Sequence, residues 1–252
     1  MNPPKVTDTD YIMFLLAAPR TVTATEASRT VQDDTRDPAH DAFNRLLYRQ
    51  PSDTSAVWNE AKTLVDATRG ILVLDDSTLD KPYAQHTELV VHHWSGKHHR
   101  VVRGINLLTL LWTDGTALVP CDFRLYDKPI GGQTKNESFR AMVADAKGEP
   151  QFWATNELEM TEEERASYAQ QGWGIEVYHR GIKQCCNVER CQARRTVAQW
   201  GHIQLSIRAF LRLELYRLRT GMSWYSAKFK VIRAAVRDFI LNPFVPRHLA
   251  TA

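Results

Sequence analysis

The chain has 252 residues, of which 43% are hydrophobic and 24% charged, the balance of an ordinary globular protein rather than a disordered or fibrous one. No basic stretch leads into an apolar run near Met1, and the longest uncharged apolar stretch there, residues 11–19, is too short to span a bilayer, so a soluble cytoplasmic protein is expected. The net charge of +3 hides an asymmetry: from His179 to Arg247 there are fourteen Lys and Arg against three Asp and Glu, which points to a polyanionic partner, nucleic acid first.

Residues 1–69 read as short helices separated by Pro, Thr and Asp. Residues 11–17 are apolar, and residues 23–31 open with Thr23 before Glu26, the spacing of a capping box. Phe43, Leu46 and Leu47 in residues 39–49, and Val57, Trp58, Ala61, Leu64 and Val65 in residues 55–67, recur at helical spacing. The result is a helical module of helix-turn-helix size, with a packing appendage as the alternative reading.

The texture changes at Gly70. Ile71-Leu72-Val73-Leu74 predicts a short buried strand, ending in Asp75-Asp76-Ser77-Thr78. Strands follow at residues 88–94 and 100–112, then a hairpin turn at Thr113-Asp114-Gly115-Thr116 and a returning strand at 117–126. Residues 135–147 predict a helix with Phe139, Met142, Val143 and Ala146 on one face, broken at Gly148-Glu149-Pro150. From Thr161 onward the pattern is helical, over residues 161–170, 172–186, 192–219 and 223–241. Thr161 is the cap of the first of these, with Glu162, Glu163 and Glu164 in its opening turn.

Two places carry chemistry. Asp75 and Asp76 at the end of a strand could hold a hard divalent cation, although Asp-Ser-Thr also favours a plain turn. Glu176, Arg180 and Lys183 fall at i, i+4 and i+7, on one helix face. An acid among bases suits a metal beside phosphates, or a surface ion pair. His92, His93, His98 and His99 surround Trp94-Ser95-Gly96-Lys97, but His92 and His93 point to opposite faces of a strand and cannot share an ion. A loop in which Trp94 and Lys97 meet a nucleic-acid backbone fits better. Of the four cysteines, Cys185, Cys186 and Cys191 crowd into seven residues, which suits buried thiols better than disulfides or zinc.

Asp76-Ser77-Thr78-Leu79 resembles the first-aspartate motif of the DDE transposases of bacterial insertion sequences. Glu176 to Lys183, with six residues between, resembles the Glu–Lys half of the Tyr-Arg-Glu-Lys signature of one group of them. In the upstream half Tyr168 stands one residue too far out, and Gly172 occupies the arginine position. His92 to Lys97 and Trp173 to Arg180 are also similar to this group, so the resemblance covers nearly the whole chain.

The resemblance implies an α/β (α+β) fold with an incomplete ribonuclease-H-like core at residues 70–187. The helical N-terminal module (1–69) would be DNA-binding, and residues 188–252 would form a long basic helical region. It implies Mg²⁺, with Mn²⁺ as substitute, held by carboxylates for in-line phosphoryl transfer on transposon-end and target double-stranded DNA, with a homodimer as the working assembly. Asp76 and Glu176 would be the catalytic metal ligands, with Asp75 the alternative to Asp76. Tyr178, Arg180, Lys183, Lys97, Arg194 and Arg195 would contact DNA.

A strand ending in a second catalytic aspartate should follow the helix at 135–147, yet no apolar run ending in Asp lies between Lys147 and Glu176. An internal deletion is therefore expected. Asp145, inside the predicted helix, is the remaining acid with a usable spacing to Glu176. The alternative function is a catalytically dead remnant that still binds element ends.

Overall fold

The computed structural model describes residues 4–20, 22–32, 37–95, 99–126, 137, 142 and 160–242. Four short helices open the chain: α1 (Asp8–Ala17), α2 (Ala24–Val31), α3 (His40–Tyr48) and α4 (Ser55–Ala61). Thr7 closes a capping box with Asp10 at the start of α1, and the Thr23 hydroxyl accepts from the Glu26 amide (3.1 Å) at the start of α2. Helix α4 stops at Ala61 rather than at residue 67. Asp66 Oδ1 accepts from both the amide (3.0 Å) and hydroxyl (2.6 Å) of Thr68, and this local turn competes with a further helical turn.

The sheet has strands β1 (Ile71–Asp80), β2 (Val91–Ser95), β3 (Arg100–Thr113) and β4 (Leu118–Tyr126), all paired antiparallel to β3. β1 runs the register from Ile71↔Thr113 to Asp80↔Gly104, and Gly104 also faces Val91 of β2. β1 and β2 therefore flank β3 on opposite edges at Gly104, where a Cβ would lie 2.6 Å from the Leu79 carbonyl oxygen and only glycine fits. The expected turn is present: Gly115 takes φ +86°, and Asp114 Oδ1 accepts from the amides of Thr116 (3.0 Å) and Ala117 (2.9 Å).

Two strand boundaries differ from expectation. β1 does not end at Leu74: Asp75 and Asp76 lie inside a ten-residue strand, because the ladder to β3 overrides the turn preference of Asp-Ser-Thr. β2 starts at Val91 rather than 88, because Glu88 is drawn out of the sheet. Its amide bonds the Arg194 carbonyl (2.9 Å) and its carboxylate accepts from the Thr196 amide (2.6 Å) and from Arg195 (2.8 Å).

Helices α5 (Glu162–Gly172), α6 (Gly174–Cys185), α7 (Thr196–Thr220) and α8 (Trp224–Leu241) complete the chain. The expected cap of α5 is a full capping box between Thr161 and Glu164. α7 is the spine: it packs against α1, α3, α4, α6, α8 and β4, and is buried on nearly every side from Ala198 to Glu214. One apolar core runs from Tyr11 and Phe43 through Leu107 and Phe123 to Tyr178, Phe210 and Trp224. A second, smaller cluster of Leu108, Leu110 and Met142, with Leu72 and Leu74, covers the other face of the sheet. The fold is thus mixed α/β, of the α+β kind, with an incomplete ribonuclease-H-like core. The four cysteines are free and buried. The predicted helix at 135–147, with Asp145, lies outside the described residues apart from Glu137 and Met142. Among the described residues no helix is long and apolar enough to cross a membrane.

Two buried polar groups tie this core together. Glu214, fully buried, accepts from the Leu118 amide (2.7 Å), Trp224 Nε1 (2.8 Å) and both Arg217 Nε (2.7 Å) and Nη2 (2.6 Å), so one carboxylate joins α7, α8 and the start of β4. His202 lies between the Tyr11 hydroxyl (2.9 Å from Nδ1) and the Asn187 carbonyl (3.1 Å from Nε2). A carbonyl can only accept, so Nε2 carries the proton and Tyr11 donates to Nδ1.

Glu214→Gln puts an amide NH₂ where only acceptors fit, and is expected to lower unfolding free energy by about 2–4 kcal/mol in a urea titration. Burial, with Lys81 nearby, holds His202 down from the usual 6.5 to about 3, and Tyr11, Asn187 and Ser206 around it carry no compensating negative charge. Below pH 6.5 the unfolded chain takes up this proton before the folded one does. Stability is therefore full above 6.5 and falls as pH drops towards 3, at up to about 1.4 kcal/mol per pH unit. Urea midpoints measured from pH 7.5 downward should decline accordingly, and less steeply in His202→Gln.

Candidate active site

Alternation along β1 sends Asp75 and Asp76 to opposite faces of the sheet. Asp76 shares its face with Leu72, Leu74 and Thr78 of β1, and through the register with Leu108 and Asn106 of β3. Its carboxylate is half-buried, and Oδ2 accepts from Asn106 Nδ2 at 2.7 Å. Next along this face the Thr78 hydroxyl meets His93 Nε2 at 2.8 Å. A polar strip thus crosses three strands, from Asp76 through Asn106 and Thr78 to His93.

Asp75 faces the helices, with Oδ2 3.9 Å from His179 Nδ1 on α6. His179 is buried, and desolvation, with the Lys183 charge adding to it and Asp76 opposing, pushes it from 6.5 down to about 4. It is neutral at physiological pH, so the approach to Asp75 is not an ion pair there. His179 was not singled out in the sequence, although its position three residues after Glu176 and four before Lys183 put it on the same helix flank.

Helix α6 is amphipathic, with Ile175, Tyr178, His179, Ile182 and Cys185 buried. Gly181 allows close packing here, since a Cβ would lie 2.8 Å from the Phe210 ring. Glu176 and Arg180 are exposed on the outer side. Lys183 parts company with them. Its ammonium donates to the Thr78 carbonyl (2.6 Å) and pairs with Glu189 (3.3 Å), with the side chain only 16% exposed. Tyr178 is a correction: it is wholly enclosed, edge-on to Phe210 at 4.9 Å. A ring in the core cannot reach DNA; position 178 falls on the same stripe as Ile175 and Ile182, which is what buries it.

Arg194 and Arg195 are exposed, Arg195 paired with Glu88 at 2.8 Å. Arg194 borders a shallow pocket with Tyr83, His86 and Lys81. Lys97 and Asp145 lie outside the described residues. Of the basic excess in the C-terminal quarter, Arg208 is committed to Asp8 and Glu60, and Arg217 to Glu214, while Lys230, Arg233 and Arg237 of α8 are exposed.

Asp76 and Glu176 are hard oxygen donors of the kind Mg²⁺ takes, and the Asn106 amide oxygen beside Asp76 is buried without a hydrogen-bond partner. These donors fit a divalent cation in kind. In number they fall short of a complete cage: among the described residues no three Asp, Glu, His or Cys side chains gather closely enough to hold an ion.

Helices packed on one side of an antiparallel sheet, with a half-buried aspartate inside its first strand, define an α+β protein with the Asp76 carboxylate on the far face of that strand. The family model for DDE superfamily endonucleases matches residues 9–161, more than half of the chain, and the chain belongs to this family of transposase-type nucleases. No curated protein and no solved structure matches it. The matched region includes Asp75 and Asp76 and ends before Glu176.

Lys183→Met removes the donor to the Thr78 carbonyl and leaves Glu189 without its cation. A loss of about 1–3 kcal/mol in unfolding free energy is expected by urea titration.

Proposed function

We propose that the chain is an insertion-sequence transposase of the Tyr-Arg-Glu-Lys group that binds element-end DNA and has lost most of its strand-cleaving power through an internal deletion. The observation that carries this reading is the family match across Asp76, the first-strand acid. Support for the deletion comes from two sides. No apolar run ending in Asp lies between Lys147 and Glu176, and among the described residues β1 is paired along one edge only, where a further core strand with the second aspartate would belong.

Asp76 and Glu176 would hold Mg²⁺ or Mn²⁺, with Asp75, the acid on the α6 side of the sheet, the alternative to Asp76 and Asp145 a substitute for the missing acid. The cation, when bound, lowers the barrier to in-line displacement at phosphorus by stabilising charge on the attacking and leaving oxygens. Lys183 and Glu189 fix α6, which bears Glu176, on β1. Arg180, Arg194, Arg195 and Lys97 would grip phosphates and so supply position rather than sequence reading. Lys183 belongs with the scaffold, because its ammonium already serves Thr78 and Glu189. With one carboxylate of three missing, the site carries too little negative charge to keep two cations together, and cleavage falls by orders of magnitude. Cutting would use a homodimer on paired ends; the alternative is a chain that only binds ends.

In a gel shift on DNA carrying the ends of its own element, the chain should bind, with affinity falling steeply as salt rises. A parallel Mg²⁺ or Mn²⁺ assay on labelled ends should show little or no nicking. Any nicking present should vanish in Glu176→Gln while the shift persists. Nicking that survives that substitution would remove Glu176 from the site, and the absence of a shift would remove the DNA-binding reading.

A further inference from the structure

Asn106 breaks the local rules of its strand. It stands in the middle of β3, 2% exposed, on a sheet face that carries Leu72, Leu74, Leu108 and Leu110 beside the polar Asp76 and Thr78. Asparagine is a poor strand former, and its side chain here is half satisfied. Nδ2 donates to Asp76, and Oδ1 is buried with no hydrogen-bond partner. Turning the amide over would set its oxygen against a carboxylate oxygen, so the donor must face Asp76. A leucine would leave no orphan oxygen at this position. Such a conflict between local fit and residue identity is characteristic of functional sites.

The contact also has a specific geometry. Asn106 is directly opposite Thr78 in the ladder, so it reaches diagonally to Asp76, two residues along β1. It engages one oxygen of the carboxylate, Oδ2, and so restrains the rotamer of Asp76. The donor is neutral, so Asn106 itself adds no positive charge beside Asp76, as an Arg or Lys in its place would.

From this geometry we infer that Asn106 is a positioning residue for the cation-binding carboxylate of Asp76, holding it in the rotamer that takes a divalent ion at the expense of sheet stability. The inference rests on the assignment of Asp76 as a metal ligand, and its test separates the two. Mn²⁺ binding to the full chain is measured by electron paramagnetic resonance, and thermal unfolding by circular dichroism, for the parent, Asp76→Asn and Asn106→Leu. Asp76→Asn should abolish Mn²⁺ binding. Asn106→Leu should weaken it about 10-fold or more, the usual effect of losing a group that orients a ligand, while its unfolding midpoint stays level or rises. Asn106→Ala, which lacks the donor and adds no bulk, should show the same loss of affinity and covers the case in which leucine does not fit.

If Asp76→Asn abolishes binding while both Asn106 variants bind like the parent, the positioning role is overturned and the metal assignment stands. A marked drop in midpoint for both Asn106 variants, with affinity unchanged, would make Asn106 a structural residue. If Asp76→Asn leaves Mn²⁺ binding untouched, or the parent binds none at millimolar concentration, the metal assignment falls and the inference with it.

Discussion

The relation between strand β1 and helix α6 depends on a knot of hydrogen bonds where the strand ends. The Lys81 ammonium, almost fully enclosed, donates to the carbonyls of Glu189 (2.7 Å) and Cys191 (2.6 Å). Glu189 in turn accepts from the Asp80 amide (3.2 Å) and pairs with Lys183, which holds the Thr78 carbonyl. Burial pushes the Lys81 ammonium down from its ordinary range, with the Cys191 thiol and the Glu189 carboxylate opposing that shift. A buried ammonium is tolerable only where oxygens replace its water, and the turn after α6 supplies them. The turn is itself anchored: Asn187, in the left-handed region at φ +58°, donates to the carbonyls of Leu15 and Ala18 and offers its own carbonyl to His202. The two candidate acids, one on β1 and one on α6, are thus fixed relative to each other through side chains that take no part in chemistry.

Much of this architecture was legible in the sequence because it follows from short-range patterns. The caps at Thr23 and Thr161, the Asp114-Gly115 turn and the apolar spacing of α3 and α6 each place an element within a few residues of where it lies. What was not legible depends on distant partners. Nothing local says that Asp-Ser-Thr should continue a strand; that follows from Gly104 letting β3 lie close against Leu79. Nothing local draws Glu88 out of β2; the amide of Thr196, 108 residues later, does so.

The candidate site divides the same way. Asp76 and Glu176 stood out as acids in informative surroundings, and the helical phase separated exposed Glu176 and Arg180 from core residues. The same phase sets Tyr178 on the apolar side with Ile175 and Ile182, which is where it is buried. Asn106, by contrast, is a single polar residue within a Leu-rich strand and becomes informative only when the register sets it diagonal to Asp76. Net charge was a partial guide: part of the basic excess, Arg208, Arg217 and Lys183, is consumed by internal acids, so the positive surface is smaller than the composition implies.

The burial of α7 also bears on how the chain acquires its fold. Tyr11 reaches His202 across 191 residues and Asp8 reaches Arg208 across 200, so the first helix finds these partners only after α7 has been made. A topology built on such distant contacts folds slowly, because the entropy of closing long loops is lost before any contact offsets it. During synthesis the N-terminal helices must wait with apolar faces uncovered, open to proteases and to chaperones. The quantity of this protein in a cell would then be set as much by the interval before residue 196 emerges from the ribosome as by the stability of the finished molecule.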